Sequence, residues 1–255
     1  TANKHGRIIA DHITGGTSSF PGVLGTAICK VLDFNVAKTG LTEHEARTQG
    51  FEVETVICPG PDRPHYYPGW ANVIIKLIAD RRDGRLLGAQ MVGQGDVAKR
   101  IEIAISVLSL NASVKAISMF DLAYAPPFSP PMDCLITAAN VLENKLNGIA
   151  KGVSSLVVKK KLEQGDDFIF LDVRSPEEYE ELRIEHPKVK LIPLGKLQEE
   201  LKNLPKDKEV VTFCQISHRG YEAQRMLEAH GFKKVTFMEG GVLAWPFEKV
   251  GKLWR

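Results

Sequence analysis

Hydrophobic and polar positions along this chain follow one rhythm in the first part and another in the last third. Apolar residues at helical spacing predict a helix over residues 3–13, which a pair of glycines ends. Residues 25–34 are typical of a strand. Thr42 followed by Glu45 is the pattern of a capping box, so another helix is predicted to begin there.

Two strands are predicted over residues 71–80 and 86–92, with Asp83 and Gly84 between them. An Asp-Gly pair between apolar runs is a strong hairpin signal, so the two strands should be antiparallel. Asp96 then caps a predicted helix that continues to position 108.

A proline-rich stretch over residues 124–131 is incompatible with a helix or a central strand. A helix is predicted after it, over residues 133–145. Small residues fill positions 147–155, and we place a linker and the domain boundary there.

The last third contains short, continuous apolar runs at residues 168–173, 210–213 and 235–238. Helical patterns separate these runs, most clearly over residues 221–230. Strands that are apolar on both faces and alternate with helices indicate a parallel sheet covered on both sides. We therefore predict an α+β N-terminal domain with an antiparallel sheet and an α/β C-terminal domain with a parallel sheet.

Composition narrows the function classes. The chain has 255 residues and a net charge of +2, so it offers no electrostatic case for nucleic acid or an anionic membrane. No apolar run is long enough for a membrane span. The cysteines lie far apart, which argues against a metal site or a dithiol motif and fits a reducing cytoplasm. They are Cys29, Cys58, Cys134 and Cys214.

The strongest candidate for chemistry is Cys214, at the end of a predicted buried strand. The chain then turns, and Arg219 opens a helix. Loop amides, the helix dipole and Arg219 would all favour an anionic, nucleophilic sulfur at Cys214. Cys214 and Arg219 are therefore the candidate catalytic residues. The candidate binding loop comprises Gln215, Ile216, Ser217, His218 and Gly220. The alternative is a small buried cysteine at a strand end.

A dinucleotide-type motif at Gly93, Gly95 and Ala98 is rejected. The strand before it is the second arm of an antiparallel hairpin, so no βαβ unit is formed. The glycines are interpreted as the turn into the next helix.

Ordered motifs in the last third resemble the rhodanese family from about residue 155 to the end of the chain. They are residues 171–179, 191–194, 214–220 and 239–245. The resemblance implies that Cys214 accepts sulfane sulfur as a persulfide and passes it on. Related phosphatases have a loop that is one residue longer, so the short loop here disfavours a phosphatase or arsenate reductase.

This region also departs from the family pattern. Ser217 stands where many members have glycine, and 182–184 replaces the usual Gly-His-Ile. We interpret Asp172 and Arg174 as a structural charged pair and Trp245 as a core residue. His218 is assigned to binding rather than to proton transfer.

Motifs in the first part resemble the C-terminal end of the pyridine nucleotide–disulfide oxidoreductases. They are residues 2–7, 22–27, 39–42, 65–69 and 124–129. The branch that this region resembles contains coenzyme A-disulfide reductases, NADH oxidases and persulfide reductases. Some members of that branch carry a C-terminal rhodanese domain.

This second resemblance implies a domain layout and a homodimer. Residues 1–16 would be the last helix of an FAD domain, near the flavin, and 17–146 the dimerisation domain. The linker over 147–155 would lead to the rhodanese domain at 156–255. Tyr67 and Tyr124 would reach the reductase site across the dimer, with Tyr66 as a second candidate for the first.

The sequence contains neither an FAD nor an NAD fingerprint, and no reductase cysteine. We therefore expect this chain to be a piece of a longer protein and to bind no cofactor alone. FAD, NAD(P)H and coenzyme A would belong to the intact enzyme. Small sulfur or thiol compounds would be the substrates. Cys134 is either a resolving thiol or, as we favour, an inert cysteine. The alternative function is a non-catalytic module that binds thiol ligands and dimerises.

Overall fold

The N-terminal domain is built on an antiparallel sheet. The computed structural model describes residues 1–251. The strands are β1 (Ala27–Val31), β2 (Phe34–Gly40), β3 (Val53–Pro61), β4 (Asn72–Asp80) and β5 (Leu86–Gly93). Within the described residues the order in this sheet is β1-β2-β5-β4-β3. The β4–β5 hairpin at Asp83 and Gly84 is confirmed, and Gly84 has the positive φ of 70° that such turns favour.

Two parts of this sheet differ from the sequence-based prediction. The strand predicted over residues 25–34 is β1 followed by a turn with Leu32 at a φ of 53°, and its hairpin partner β2, which begins at Phe34, was not predicted. A leucine in the left-handed region is uncommon, so no ordinary turn signal marked the position. Strand β3 was not predicted, because Pro59, Gly60 and Pro61 are residues that strands normally avoid.

Helices precede, separate and follow these strands. They are α1 (Ala2–Ile13), α2 (Glu43–Thr48), α3 (Val97–Ser109), α4 (Val114–Ser118) and α5 (Cys134–Leu146). Both predicted caps are confirmed: Thr42 and Glu45 form a reciprocal capping box, and Asp96 accepts a hydrogen bond from the amide of Lys99. The apolar sides of α3 and α5 bury against the sheet, whereas α1 buries none of its side chains.

The proline-rich stretch before α5 is neither helix nor strand, as predicted. Its end is held by a buried ion pair. Arg100 Nη2 lies 2.8 Å from Asp133 Oδ2 and donates to the carbonyl of Asp62 at 2.9 Å, while the Ser129 hydroxyl donates to Asp133. This cluster fixes the loops on either side of it.

The C-terminal domain contains a parallel sheet and the helices that cover it. The strands are β6 (Gly152–Val153), β7 (Phe168–Asp172), β8 (Leu182–Arg183), β9 (Val189–Leu191), β10 (Glu209–Phe213), β11 (Val235–Met238) and β12 (Val250–Gly251). The helices are α6 (Ser155–Gln164), α7 (Pro176–Glu181), α8 (Leu194–Glu200), a 3-10 turn (Leu201–Asn203) and α9 (His218–Ala229).

Across the part of the chain that is described, the parallel strands have the order β6-β11-β10-β7-β9. Leu197 and Leu227 pack on one face of the sheet, and Val158 and Trp245 pack on the other. The prediction of a parallel sheet with two covered faces is therefore confirmed. The short strands β8 and β12 pair separately.

The expected linker is partly ordered by this sheet. Gly152 and Val153 pair as β6 with Phe237 and Met238 of β11. The edge of the C-terminal sheet therefore begins inside the segment that separates the domains. Between residues 1 and 251, no helix has the length and apolar character needed to cross a bilayer.

Candidate functional site

Cys214 lies at the carboxyl end of the central strand β10, where the chain leaves the sheet. Its neighbour Phe213 stacks against Phe170 of β7 with 4.1 Å between ring centroids. Cys214 itself is only 1 % exposed. Ligands of open parallel sheets bind at this end of the strands, so the fold places the cysteine where a small substrate would be received.

The backbone of the Cys214 loop is held by the segment that follows β11. The Cys214 carbonyl accepts a hydrogen bond from Val242 N at 2.9 Å, and the Gln215 carbonyl accepts one from Leu243 N at 3.0 Å. These bonds fix the loop backbone through its carbonyl groups, so its amide groups are left to bind other acceptors. Within residues 1–251 the amides at positions 215–217 have no acceptor.

Helix α9 begins at His218, directly after the loop, and its first-turn amides add to the same positive region. Gly220 lets the helix approach the strand: a Cβ there would lie 3.2 Å from Phe213 Cα. The Thr212 hydroxyl donates to the Gly220 carbonyl at 2.7 Å. Loop amides and a helix N-terminus together are suited to an anionic sulfur.

Arg219 lies beside Cys214, and it also forms a bidentate ion pair with Glu178. Its Nη1 and Nη2 donate to Glu178 at 2.7 and 2.5 Å. The pKa of Arg219 is raised, mainly by the hydrogen bonds to Glu178 and further by Cys214. Glu178 was not predicted as a site residue, because its capping box with Ser175 marks a helix start and not a partner of Arg219. Glu178 thus holds the guanidinium group of Arg219 in place, and the positive charge of that group also acts on the Cys214 sulfur.

Asp172 and Arg174 form a fully buried ion pair, in keeping with their interpretation as structural. Arg174 Nη2 lies 2.7 Å from Asp172 Oδ2. Arg174 also donates to Gln215 Oε1 at 3.2 Å, so the pair supports the Cys214 loop. Trp245 is buried in the core, and its indole N–H has no partner in the described residues.

The remaining loop residues differ in exposure. Gln215 and Ile216 are half-buried, whereas Ser217 is buried. His218 points to solvent, and its Nε2 lies 3.7 Å from Glu222 Oε1. His218 is therefore placed to contact an incoming ligand rather than the sulfur.

The other cysteines have different surroundings. Burial raises the pKa of the Cys58 and Cys134 thiols to about 12. Cys134 also lies beside the carboxylate of Asp133. Cys29 is exposed on β1, which lacks a comparable loop. These surroundings favour Cys214 as the reactive thiol.

The tyrosines singled out in the N-terminal domain lie on exposed loops. Burial and the neighbouring Tyr66 raise the pKa of Tyr124. Tyr66 is therefore the tyrosine that approaches Tyr124, while the Tyr67 amide donates to Pro64. The first turn of α1 contains no acidic residue.

Two family models match separate parts of the chain. Residues 26–134 match the dimerisation domain of pyridine nucleotide-disulphide oxidoreductases, and residues 155–247 match the rhodanese-like domain. The chain is 45% identical over 141 residues to the NAD(P)H coenzyme A polysulfide/persulfide reductase of Pyrococcus horikoshii, covering 55% of this chain and 32% of that protein.

Solved structures show the same combination of domains. The NAD-dependent persulfide reductase from A. fulgidus is 45% identical with a TM-score of 0.87, and the match covers 96% of this chain and 43% of that one. The reduced Bacillus anthracis CoADR-RHD is 34% identical with a TM-score of 0.86, covering 94% and 42% respectively. The chain thus spans about a third of the curated relative's length and less than half of either solved chain.

Proposed function

Because the chain joins an oxidoreductase dimerisation domain to a rhodanese-like domain, we propose that it is a sulfurtransferase module whose Cys214 carries sulfane sulfur. The observation that carries the proposal is the position of Cys214 within its loop. The sulfur follows a buried strand, and the amides at 215–217 have no acceptor in the described part of the chain. Such amides stabilise both a thiolate and the anionic outer sulfur of a persulfide.

The proposed transfer balances without an external oxidant. The Cys214 thiolate attacks the outer sulfur of a persulfide donor, R–S–SH. A new S–S bond forms on Cys214 while the S–S bond of the donor breaks, and its electron pair leaves with the thiolate RS⁻. A nucleophilic acceptor then takes the outer sulfur, and Cys214 returns to its thiolate.

In its biological setting we propose that the module serves a disulfide, polysulfide or persulfide reductase. The relatives named above act with NAD(P)H or NAD. FAD and coenzyme A are expected from the family resemblance. The free thiols fit a reducing cytoplasm.

We further propose that the chain is a homodimer through residues 1–146. Large apolar residues are exposed on β1, on β2 and on the loops that carry the tyrosines; they include Ile28, Leu32, Phe34, Tyr124 and Phe128. A partner usually covers large apolar surfaces, so this exposure supports a dimer. Light scattering of the whole chain should give the mass of two copies, whereas a monomer would contradict the proposal.

Thiocyanate formation from thiosulfate and cyanide tests the sulfurtransferase activity. The whole chain should turn over, while a folded Cys214→Ser variant should show only the rate of the buffer. The Cys29→Ser variant is the matched control, because it removes an exposed thiol outside the loop. Equal rates for wild type and Cys214→Ser would refute the proposal.

The second candidate is a non-catalytic module that docks a thiol ligand. It is favoured by the deep burial of Cys214 and by the Glu178 carboxylate, which already neutralises much of the Arg219 charge. Calorimetric binding of coenzyme A without any thiocyanate formation would support this candidate over the first.

A further inference from the structure

Glu239 is a buried carboxylate of the C-terminal domain whose partners come from the N-terminal domain. It follows β11 and is 3 % exposed. Its Oε2 accepts a hydrogen bond from Ile57 N at 3.0 Å, and its Oε1 pairs with Lys145 Nζ. Lys145 also donates to the Thr55 carbonyl at 2.5 Å and lies 3.1 Å from Glu54 Oε1.

Opposing effects act on the Glu239 carboxylate. Burial raises its pKa and outweighs Lys145 and the Ile57 amide, which favour the ionised form. A buried carboxylate without these groups would be costly, so Glu239 stays in place only while the two domains are docked.

The residues next to Glu239 hold the loop that carries the sulfur. Gly240 N donates to Ser217 Oγ at 2.6 Å, and Val242 N donates to the Cys214 carbonyl at 2.9 Å. Ser217 has a φ of 91°, a conformation that costs energy for a residue with a Cβ. The hydrogen bond from Gly240 helps to keep Ser217 in this conformation.

The segment that contains Gly240 and Gly241 is closely packed against both the Cys214 loop and the N-terminal domain. A Cβ on Gly241 would lie 2.3 Å from the Cys214 carbonyl oxygen. A Cβ on Gly240 would lie 2.4 Å from Ala244 Cβ and 3.2 Å from Ile57 Cγ2. A shift of this segment would therefore be passed to the backbone of Cys214.

We propose that Glu239 is a positioning residue that uses Lys145 and Ile57 of the dimerisation domain to fix the shape of the Cys214 loop. The inference rests on the proposed sulfur transfer at Cys214. It predicts that sulfur chemistry in the C-terminal domain depends on a lysine in the other domain. Docking of the domains thereby sets the activity of the sulfur site.

The test uses the whole chain with the variants Glu239→Gln and Lys145→Met. Glutamine keeps the shape of Glu239 and an acceptor for Ile57 N but removes the charge. The milder Glu54→Gln variant, at the edge of the cluster, serves where either substitution prevents folding. Glu163→Gln is the matched control, because it removes an exposed ion pair with Lys159 in the C-terminal domain.

Two readouts are measured: thiocyanate formation, and the rate at which iodoacetamide alkylates Cys214. We expect Glu239→Gln and Lys145→Met to lower kcat about tenfold or more, since small misplacements of a reacting group are costly. The KM for thiosulfate should change less, Glu54→Gln should show a smaller loss, and Glu163→Gln should match the wild type.

The alkylation rate should change in the same two variants, independently of sulfur transfer. Wild-type rates for both readouts in the folded Glu239→Gln and Lys145→Met variants would overturn the positioning role. A wild-type chain without thiocyanate formation would instead refute the proposed function, and alkylation alone would then decide the role of Glu239.

Discussion

The two domains differ in how much of a candidate site one chain completes. In the C-terminal domain, a strand end, a loop and a helix start within residues 213–220 supply the nucleophile and its surroundings. In the N-terminal domain, Tyr66 and Tyr124 lie on exposed loops, and every residue of β1 is exposed. A site built from one continuous segment can be identified in a single chain, whereas the proposed site across a dimer is marked only by exposed apolar and aromatic groups.

The comparison predicts a large difference in thiol reactivity between the domains. The pKa of Cys58 and Cys134 is raised from 9.0 to about 12, so their thiolate fraction at neutral pH falls about 10³-fold. At mildly acidic pH, iodoacetamide should modify Cys214 first. Peptide mapping by mass spectrometry measures the order.

Chain unfolded in urea is the control for this experiment, because all of the cysteines should then react at similar rates. Faster labelling of Cys29, Cys58 or Cys134 than of Cys214 in the folded chain would show that the reactive thiol has been misassigned.

The second prediction concerns the buried pair in the N-terminal domain. Arg100→Met leaves the carboxylate of Asp133 buried without its partner, which should cost about 3–5 kcal/mol of unfolding free energy. Arg47→Met removes an exposed pair with Glu43 and a long hydrogen bond to the Val53 carbonyl, and it should cost less than about 1 kcal/mol. Urea unfolding measures both.

The pH dependence of this stability has a defined sign. Burial raises the pKa of Asp133, but Arg100 together with the hydrogen bonds from the Leu135 amide and the Ser129 hydroxyl outweighs it, and the net pKa is lowered. The stabilisation is therefore present above the pKa of an unfolded aspartate and is lost as the pH falls below it. A wild-type chain and an Arg100→Met variant with equal stability at neutral pH would contradict this account.

The third prediction is that the charge of Arg219 matters more for sulfur transfer than for folding. Arg219→Ala should slow sulfur transfer about tenfold, since a charge at a helix N-terminus beside an anion is worth on the order of 1 kcal/mol or more. Arg225→Ala, on the same helix and paired with Glu228, should leave the rate unchanged. A variant at position 219 that melts early yet transfers sulfur normally would make Arg219 purely structural.

The smallest effect is expected from the tyrosine loops. Tyr124→Phe removes a hydroxyl in the N-terminal domain that has no contact with the Cys214 loop among the described residues. Thiocyanate formation by the whole chain should be unchanged. A clear loss of rate would mean that the tyrosine loops already contribute to sulfur transfer.

Local signals were enough to predict much of the fold. Asp96, Thr42 and the Asp83–Gly84 turn each act within a few residues, and each was confirmed. Strand β3 was missed because pairing with β4 outweighs the poor strand preference of its prolines. The strand predicted over residues 25–34 ran through the turn after β1 and stopped at the first residue of β2, because the exposed β1 shows no alternation of buried and exposed positions that would mark its end.

In the candidate site, too, residues close in sequence were predicted and residues far apart in sequence were not. Cys214, Arg219 and the loop between them are contiguous, so sequence order alone suggested their grouping. Lys145 and Glu239 are 94 positions apart and meet only after both domains have folded. Glu178 was similarly hidden, because its place in a helix cap gives no sign that Arg219 will pair with it.

The most direct test of the sulfur-carrying role of Cys214 is the intact mass of the whole chain after exposure to a sulfane donor. We predict a gain of one sulfur atom, located on the Cys214 peptide and removed by cyanide. The Cys214→Ser variant should gain none. No mass gain in the wild-type chain, or a sulfur found on Cys29 instead, would contradict the account.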